Sequence, residues 1–180
     1  MDREEIFKGI EDMQVFEKTL AKLDKAGLII PDKPADSALT VSIYKEWDTM
    51  KQRYGGISNI PYNELGDFLD KWTALISYTR WVESVSDIEQ QSALEIRDTI
   101  RKQLYTLQAG GREIRDSMVS IEPTYIKMEQ DYNEKVSLYK AIKGLREGYE
   151  TRANAISREI SRRSAEVVDS RRGYNRGSGV

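Results

Sequence analysis

The sequence predicts an all-α fold: a long antiparallel helical hairpin of coiled-coil character, with N-terminal helices in front of it, assembled as an oligomer. Three observations predict it. Apolar residues recur at steps of three and four along nearly the whole chain. Charged residues make up 32% of the 180 and hydrophobic ones 39%, a balance that suits long solvated helices better than an α/β domain with a large interior. Finally, two long periodic stretches meet at Ala109-Gly110-Gly111, a strong helix stop.

The elements follow in chain order. Residues 3–25 carry Ile6, Ile10, Met13, Leu20 and Leu23 at helical spacing, with Phe7 and Phe16 widening the stripe, and Gly27 closes the segment ahead of Pro31 and Pro34. A second helix spans about 40–54 on Ile43, Trp47, Met50 and Tyr54, stopped by Gly55-Gly56. Together these form an N-terminal arm or subdomain, residues 1–60. The segment GGISNIPYNELGD reads as turn-rich. From Asp67 to Gln108 a single periodic stretch runs on Phe68, Trp72, Leu75, Thr79 and Val82, slips, and resumes on Ala93, Ile96, Ile100, Leu104 and Leu107.

The return arm carries Ile114, Met118, Ile121, Tyr125, Met128, Tyr132, Val136, Tyr139, Ile142, Leu145, Tyr149, Ala153, Ile156 and Ile160, near the 3.5-residue mean of a coiled coil. Pro123 should kink this arm or restart it after Ser120. The hairpin thus covers 61–168, and its seam is too narrow to hide all its apolar surface without the N-terminal helices or neighbouring copies. Residues 169–180, rich in Arg and Gly, read as a flexible tail.

Composition excludes much chemistry. The chain has no cysteine and no histidine, which removes disulfides, thiolate zinc sites and imidazole bases together. No phosphate-binding loop, acidic metal motif or nucleophile elbow is present, so a non-enzymatic protein without a cofactor is expected. No N-terminal segment joins a basic start to an apolar run, and no apolar stretch approaches the ~20 residues that span a bilayer. A soluble, cytoplasmic protein is expected.

The net charge of −2 conceals an asymmetry. From Arg152 onward seven arginines stand against three acids, a net of +4, which leaves −6 on the first 151 residues. In TRANAISREISRR the apolar stripe of Tyr149, Ala153, Ile156 and Ile160 marks a candidate oligomer interface. Arg152 and Arg163 border it, and Arg158 and Arg162 face away. The outward pair either solvates a helix C-terminus or joins Arg171, Arg172 and Arg176 of the tail in holding a polyanion. A second basic cluster, Arg97, Arg101, Lys102, Arg112 and Arg115, flanks the Gly-Gly turn with Glu95, Asp98, Glu113 and Asp116 interleaved. It is either a surface salt-bridge network or a backbone-tracking surface with Tyr105 as a stacking ring. Tyr125, Tyr132 and Tyr139, seven apart, coincide with the seam and read as core. Trp81 lies off its stripe, where it packs under N-terminal helices, anchors an interface or stacks on a base. Gly144 and Gly148 inside a helix suggest close approach of another subunit.

Residues 67–166 resemble the UvsY family of phage recombination mediators. The likeness is an order of features: a long helix containing KW, then Arg101-Lys102-Gln103-Leu104-Tyr105 shortly before a glycine turn, then a return helix ending in TRANAISREISRR. In that last element Thr151-Arg152-Ala153-Asn154-Ala155-Ile156 stands where the family has a Ser-Arg-Gly-x-Ala-Ile-type motif. The chain departs from the family in about 60 additional N-terminal residues and in its Arg/Gly tail. The resemblance implies a homo-oligomer joined through its C-terminal helices. It would bind single-stranded DNA, with Arg101 and Lys102 on phosphates, and help a RecA-like recombinase displace a single-strand binding protein. Two other readings stand beside it: a ring-forming virion, neck or packaging component, and an inhibitor whose acidic N-terminal part mimics DNA.

Overall fold

A 46-residue helix without a break answers the first expectation: the stretch before the Gly-Gly turn folds as one rod. The computed structural model describes residues 21–28 and 37–177, with side chains at 21–28 and 42–168. Most of the helix read at 3–25 lies outside the described residues. Among those described there is no strand. The helices are α1 (Ser37–Tyr54), α2 (Tyr62–Leu107), α3 (Arg112–Ser120) and α4 (Pro123–Gly177), with a 3₁₀ turn at Ile57–Asn59 and a short helical piece at 21–25. The chain is all-helical, with one long helix packing against another.

The glycines at two helix ends do what the sequence suggests. After 21–25, the Leu28 amide donates to the Leu23 carbonyl and the Gly27 amide to that of Asp24, with Gly27 at φ +67°. After α1, Gly56 donates to Lys51 and Gly55 to Gln52, with Gly55 at φ +71°. Both are paired 6→1 and 5→2 closures, which need a left-handed residue that only glycine adopts without strain.

α2 starts five residues before the predicted Asp67. The Leu65 amide donates to the Pro61 carbonyl at 3.0 Å, so Pro61 caps the helix from outside and its missing N–H costs nothing there. Gly66 disguised this start as a turn. Its helical cost is offset because Leu65 and Ile60 are both fully buried.

The expected restart at Pro123 is present. α3 stops at Ser120, and α4 opens with Pro123 in the first helical position and the Ile126 amide bonded to the Glu122 carbonyl. α4 then continues through Gly177, past the point where the sequence placed a flexible tail, although side chains beyond Val168 lie outside the described residues.

Two compact units divide the chain, one formed by residues 31–80 and 144–180, the other by 1–30 and 81–143. α1 therefore belongs with parts of both long helices. In the first unit Ile43 and Trp47 of α1 share a core with Ile60, Leu65, Phe68, Trp72 and Leu75, closed by Tyr149, Ala153 and Ile156 of α4. Its aromatic rings interlock: Tyr44 meets Trp72 edge-on at 5.1 Å, Trp47 meets Phe68 at 5.1 Å, and Trp72 meets Tyr149 at 5.8 Å.

This core corrects the assignment of an oligomer interface to Tyr149, Ala153, Ile156 and Ile160. The first three are at most 8% exposed and the fourth is packed against them, all within one chain. The physical reason is α1. Its Ile43, Trp47 and Tyr44 cover the stripe that the helical pair alone would leave open.

The second unit has a much smaller core. Ile100, Leu104 and Val119 are buried, with Ile96, Tyr105, Tyr125 and Met128 packed against them. Here the predicted seam fails in one place: Ile114, Met118 and Ile121 point outward, at 55, 45 and 72% exposure, and Val119 takes the inner position. The break at Ile121 and Glu122 separates α3 from α4, so α3 sets its own rotation rather than inheriting that of the return arm. Of the tyrosines read as core, Tyr125, Tyr132 and Tyr139 are all half-buried on α4, and Tyr125 packs against this core.

Candidate nucleic-acid interface

The turn between α2 and α3 is shaped by Gly110, which sits at φ +110° and lies so close to Ile114 that an added Cβ would meet its Cγ2 at 3.3 Å. The geometry is held by Arg115, one turn into α3. Its Nε donates to the Gly110 carbonyl at 2.8 Å and its guanidinium lies 5.6 Å from the Tyr105 ring centroid. Arg115 and Tyr105, predicted as phosphate contact and stacking ring, are thus brought together and partly occupied with each other.

Around this turn Arg101, Lys102 and Arg112 are exposed. The Arg101 guanidinium donates to Asp116 at 3.2 Å, and Arg112, whose side chain is 90% exposed, approaches the other oxygen of Asp116 at 4.0 Å. With Asp98, Tyr105 and Thr106, the residues Arg101, Lys102 and Asp116 line an open groove of about 460 Å³. One carboxylate shared by two exposed guanidiniums leaves both with free donors, and surface pairs of this kind contribute little and yield readily.

Arg97 behaves differently. Its Nε and Nη2 both donate to Asp98, at 3.1 and 2.8 Å, and the guanidinium lies 4.6 Å from the centroid of the Tyr132 ring. The hydrogen bonds to Asp98 push the Arg97 pKa up from an already high value, although partial burial opposes them. It is half-buried and braces the seam, so it does not belong with the exposed three.

The α4 arginines separate as the helical wheel predicted. Arg158 is exposed, without an ion pair among the described residues. Arg162 is also on the outer side but is held between Glu159, at 2.6 Å, and Glu166. Arg152 and Arg163, at the border of the stripe, turn inward. Arg152 lies 4.6 Å from the Tyr44 ring and donates to the Gly148 carbonyl at 2.8 Å. Arg163 donates to Glu159 at 2.7 Å and to two backbone carbonyls. Hydrogen bonds from Arg162 first and then Arg163 hold the Glu159 carboxyl down at about 2, well below the usual carboxylate range, and Arg162 is raised in return. Arg171, Arg172 and Arg176 lie on the helical end of α4, with side chains outside the described residues.

Two features escaped the sequence reading. Asp116 as the shared anchor of the turn was legible only as one of several interleaved acids. The carbonyl clamp by Arg163 had no local signal, because its acceptors lie more than a hundred residues earlier. Gly144, read as a site of close approach, has nothing within 4 Å of an added Cβ, and Gly148 meets only the flexible end of Arg152. Trp81 is half-buried, in keeping with packing rather than display. Among the described residues no helix is long and apolar enough to cross a membrane, and no group of three His, Cys, Asp or Glu side chains could hold a metal ion.

No family model, curated protein or solved structure matches this chain in sequence or fold.

Proposed function

We propose that this chain is a non-enzymatic, homo-oligomeric single-strand DNA-binding mediator of recombination. It would grip phosphates at the turn between α2 and α3, and would help a RecA-like recombinase displace a single-strand binding protein in the cytoplasm. The observation that carries this reading is the gathering of exposed Arg101, Lys102 and Arg112 around one turn, beside an arginine already stacked on Tyr105. Guanidiniums and ammoniums with free donors track a sugar-phosphate backbone, and an adjacent ring gives bases a platform. The likeness to the UvsY family, in which a basic element and tyrosines precede a glycine turn, supports the same residues.

In this reading the two long helices form an antiparallel hairpin with the basic turn at its tip. Within the second unit, Glu89 faces Lys135 at 3.7 Å and Arg101 faces Asp116, a reversed pairing order that supports it. A single tip with four interleaved acids binds weakly, and several copies along one strand make it strong. Arg158 and the arginines of the α4 end would add contacts.

The test is fluorescence anisotropy of a labelled oligothymidylate titrated with the protein across a salt series. Affinity should fall steeply with salt, and replacing Arg101 and Lys102 by alanine should flatten the log-log slope by about 1.4, roughly 0.7 per lost phosphate contact on a single strand. An unchanged slope removes the turn from binding.

A second reading, a phage structural or assembly component, is favoured by the outward apolar face of α3. It predicts assembly without nucleic-acid affinity and recovery of the chain in purified particles.

A further inference from the structure

Two of the exposed cations of the turn share a single carboxylate, and the fold itself delivers it. Asp116 lies three residues before Val119 on α3, and Arg101 three residues before Leu104 on α2. Val119 and Leu104 are buried in the same small core, so the packing of the two helices brings Asp116 and Arg101 together beside it. The start of α3 is fixed as well, by the hydrogen bond from Arg115 to the Gly110 carbonyl. Asp116 thus stands near the middle of a nine-residue helix that is held in its first turn and again in its last.

The two oxygens of that carboxylate divide between two guanidiniums. Oδ1 accepts from Arg101 Nη2 at 3.2 Å, and Oδ2 lies 4.0 Å from Arg112 Nε. A phosphodiester presents its two non-bridging oxygens to a pair of arginines in the same way, as acceptors on one central atom. Asp116 also lines the open groove onto which Arg101, Lys102, Tyr105 and Thr106 face. The other acid of that groove, Asp98, takes its hydrogen bonds from Arg97, the half-buried brace of the seam. Asp116 is therefore the acid that engages the exposed cations.

We infer that Asp116 occupies the phosphate seat of the turn in the free chain, and that a strand binds by displacing its carboxylate from Arg101 and Arg112. The inference rests on the single-strand reading and adds an autoinhibitory contact to the site. Exposed ion pairs contribute at most about 1 kcal/mol, so the seat is closed weakly and opens to a competing anion. The competitor is nonetheless tethered on the same turn, where its effective concentration is on the order of millimolar or higher. Lys102, exposed and without an ion pair among the described residues, is open to a phosphate before any displacement. Each copy on a strand breaks its own Asp116 contacts, which keeps one turn weak and leaves strength to the number of copies.

Anisotropy titrations of labelled oligothymidylate with the full chain, at one fixed salt concentration, test this. Asp116→Asn keeps the shape of the side chain and removes its charge. It should tighten binding about fivefold, the equivalent of the ~1 kcal/mol upper end for an exposed pair. Glu113→Gln removes an equal charge three residues away on α3, from an exposed side chain without an ion pair among the described residues, and should tighten binding less than about twofold. In an Arg101→Ala background the gain from Asp116→Asn should fall to the Glu113→Gln level, because the carboxylate then has little to release. Circular dichroism melts check that each variant is folded.

Equal gains from the two neutralised acids, or a gain that survives without Arg101, would reduce Asp116 to background charge and overturn the inference. Unchanged or weaker binding by Asp116→Asn overturns it too, and makes Asp116 a residue that positions Arg101 for the strand. Those results leave the single-strand reading standing, since each requires measurable binding by wild type. Absence of binding by every form removes that reading and this inference together.

Discussion

Arg163 donates from Nη1 to the Ile60 carbonyl, 103 residues earlier in the chain, at 2.6 Å, and from Nη2 to the Ile57 carbonyl at 3.0 Å. The Ile57 carbonyl opens the 3₁₀ turn that carries α1 into α2, the Ile60 carbonyl follows that turn, and Ile60 itself is fully buried. The same guanidinium donates through Nε to Glu159, so one side chain ties a turn, a helix and a buried carboxylate. Its planar fork can reach all three acceptors, which a lysine ammonium at the end of a flexible stem does not reproduce.

Arg163→Ala should therefore destabilise the chain by about 2–3 kcal/mol, the usual loss when hydrogen bonds from a charged group leave part-buried acceptors unpaired. Arg163→Lys should recover less than half of that. Urea denaturation followed by far-ultraviolet circular dichroism measures both, and equal stability of wild type and Arg163→Ala would refute the clamp.

Glu159 gives a pH dependence with a definite sign. Its folded pKa of about 2 lies below the ordinary value of 4.5 because Arg162 and Arg163 hydrogen-bond the carboxylate. A depressed folded pKa means that its contribution is fully present above about 4.5 and is lost as pH falls toward 2. The stability difference between wild type and Glu159→Gln should be constant from neutral pH to about 5 and shrink below it. Thermal melts across that range check it, and a difference that widens on acidification would contradict the assignment.

How much of this was legible in the sequence depends on whether the deciding partner was local. The stripe Phe68, Trp72, Leu75 and Thr79 is buried as periodicity demands, and the slip before Ala93 is accounted for by Ser86, a buried polar residue that breaks the apolar pattern without leaving the face. Pro123 and both glycine closures were readable because they act through neighbouring backbone. Burial of Tyr149, Ala153 and Ile156 was equally readable, but their partner was not. Which surface covers a helical stripe is decided by α1, a hundred residues away, and periodicity carries no information about that. The candidate turn shows the same limit: the cations were identified, while the inward rotation of Arg97 and the sharing of Asp116 follow from tertiary contacts.

Gly66 and Gly144 should be improvable positions. Both lie inside helices, with φ outside the left-handed region and nothing within 4 Å of an added Cβ. Alanine at either should stabilise the chain by roughly 0.5–1 kcal/mol, since it removes backbone freedom from the unfolded state and meets no neighbour. Chemical denaturation of the two variants measures this. A loss of stability at Gly144 that appears only at high protein concentration would instead reveal close approach by another copy.

The turn arginines should divide into two kinds under mutation. Arg112 is 90% exposed and its one ion-pair partner among the described residues is Asp116, at 4.0 Å, so Arg112→Ala should leave the melting temperature within about 1–2 °C of wild type while weakening oligothymidylate binding. Arg97 is bonded twice to Asp98 and lies over the Tyr132 ring, so Arg97→Ala should lower stability by about 1–2 kcal/mol and change the salt slope of binding little. Paired melts and anisotropy titrations of the two variants separate a phosphate contact from a seam brace. The reverse pattern, with Arg97 controlling affinity and Arg112 stability, would require that α2 rotate on binding and would displace the exposed cations of the turn from the mechanism.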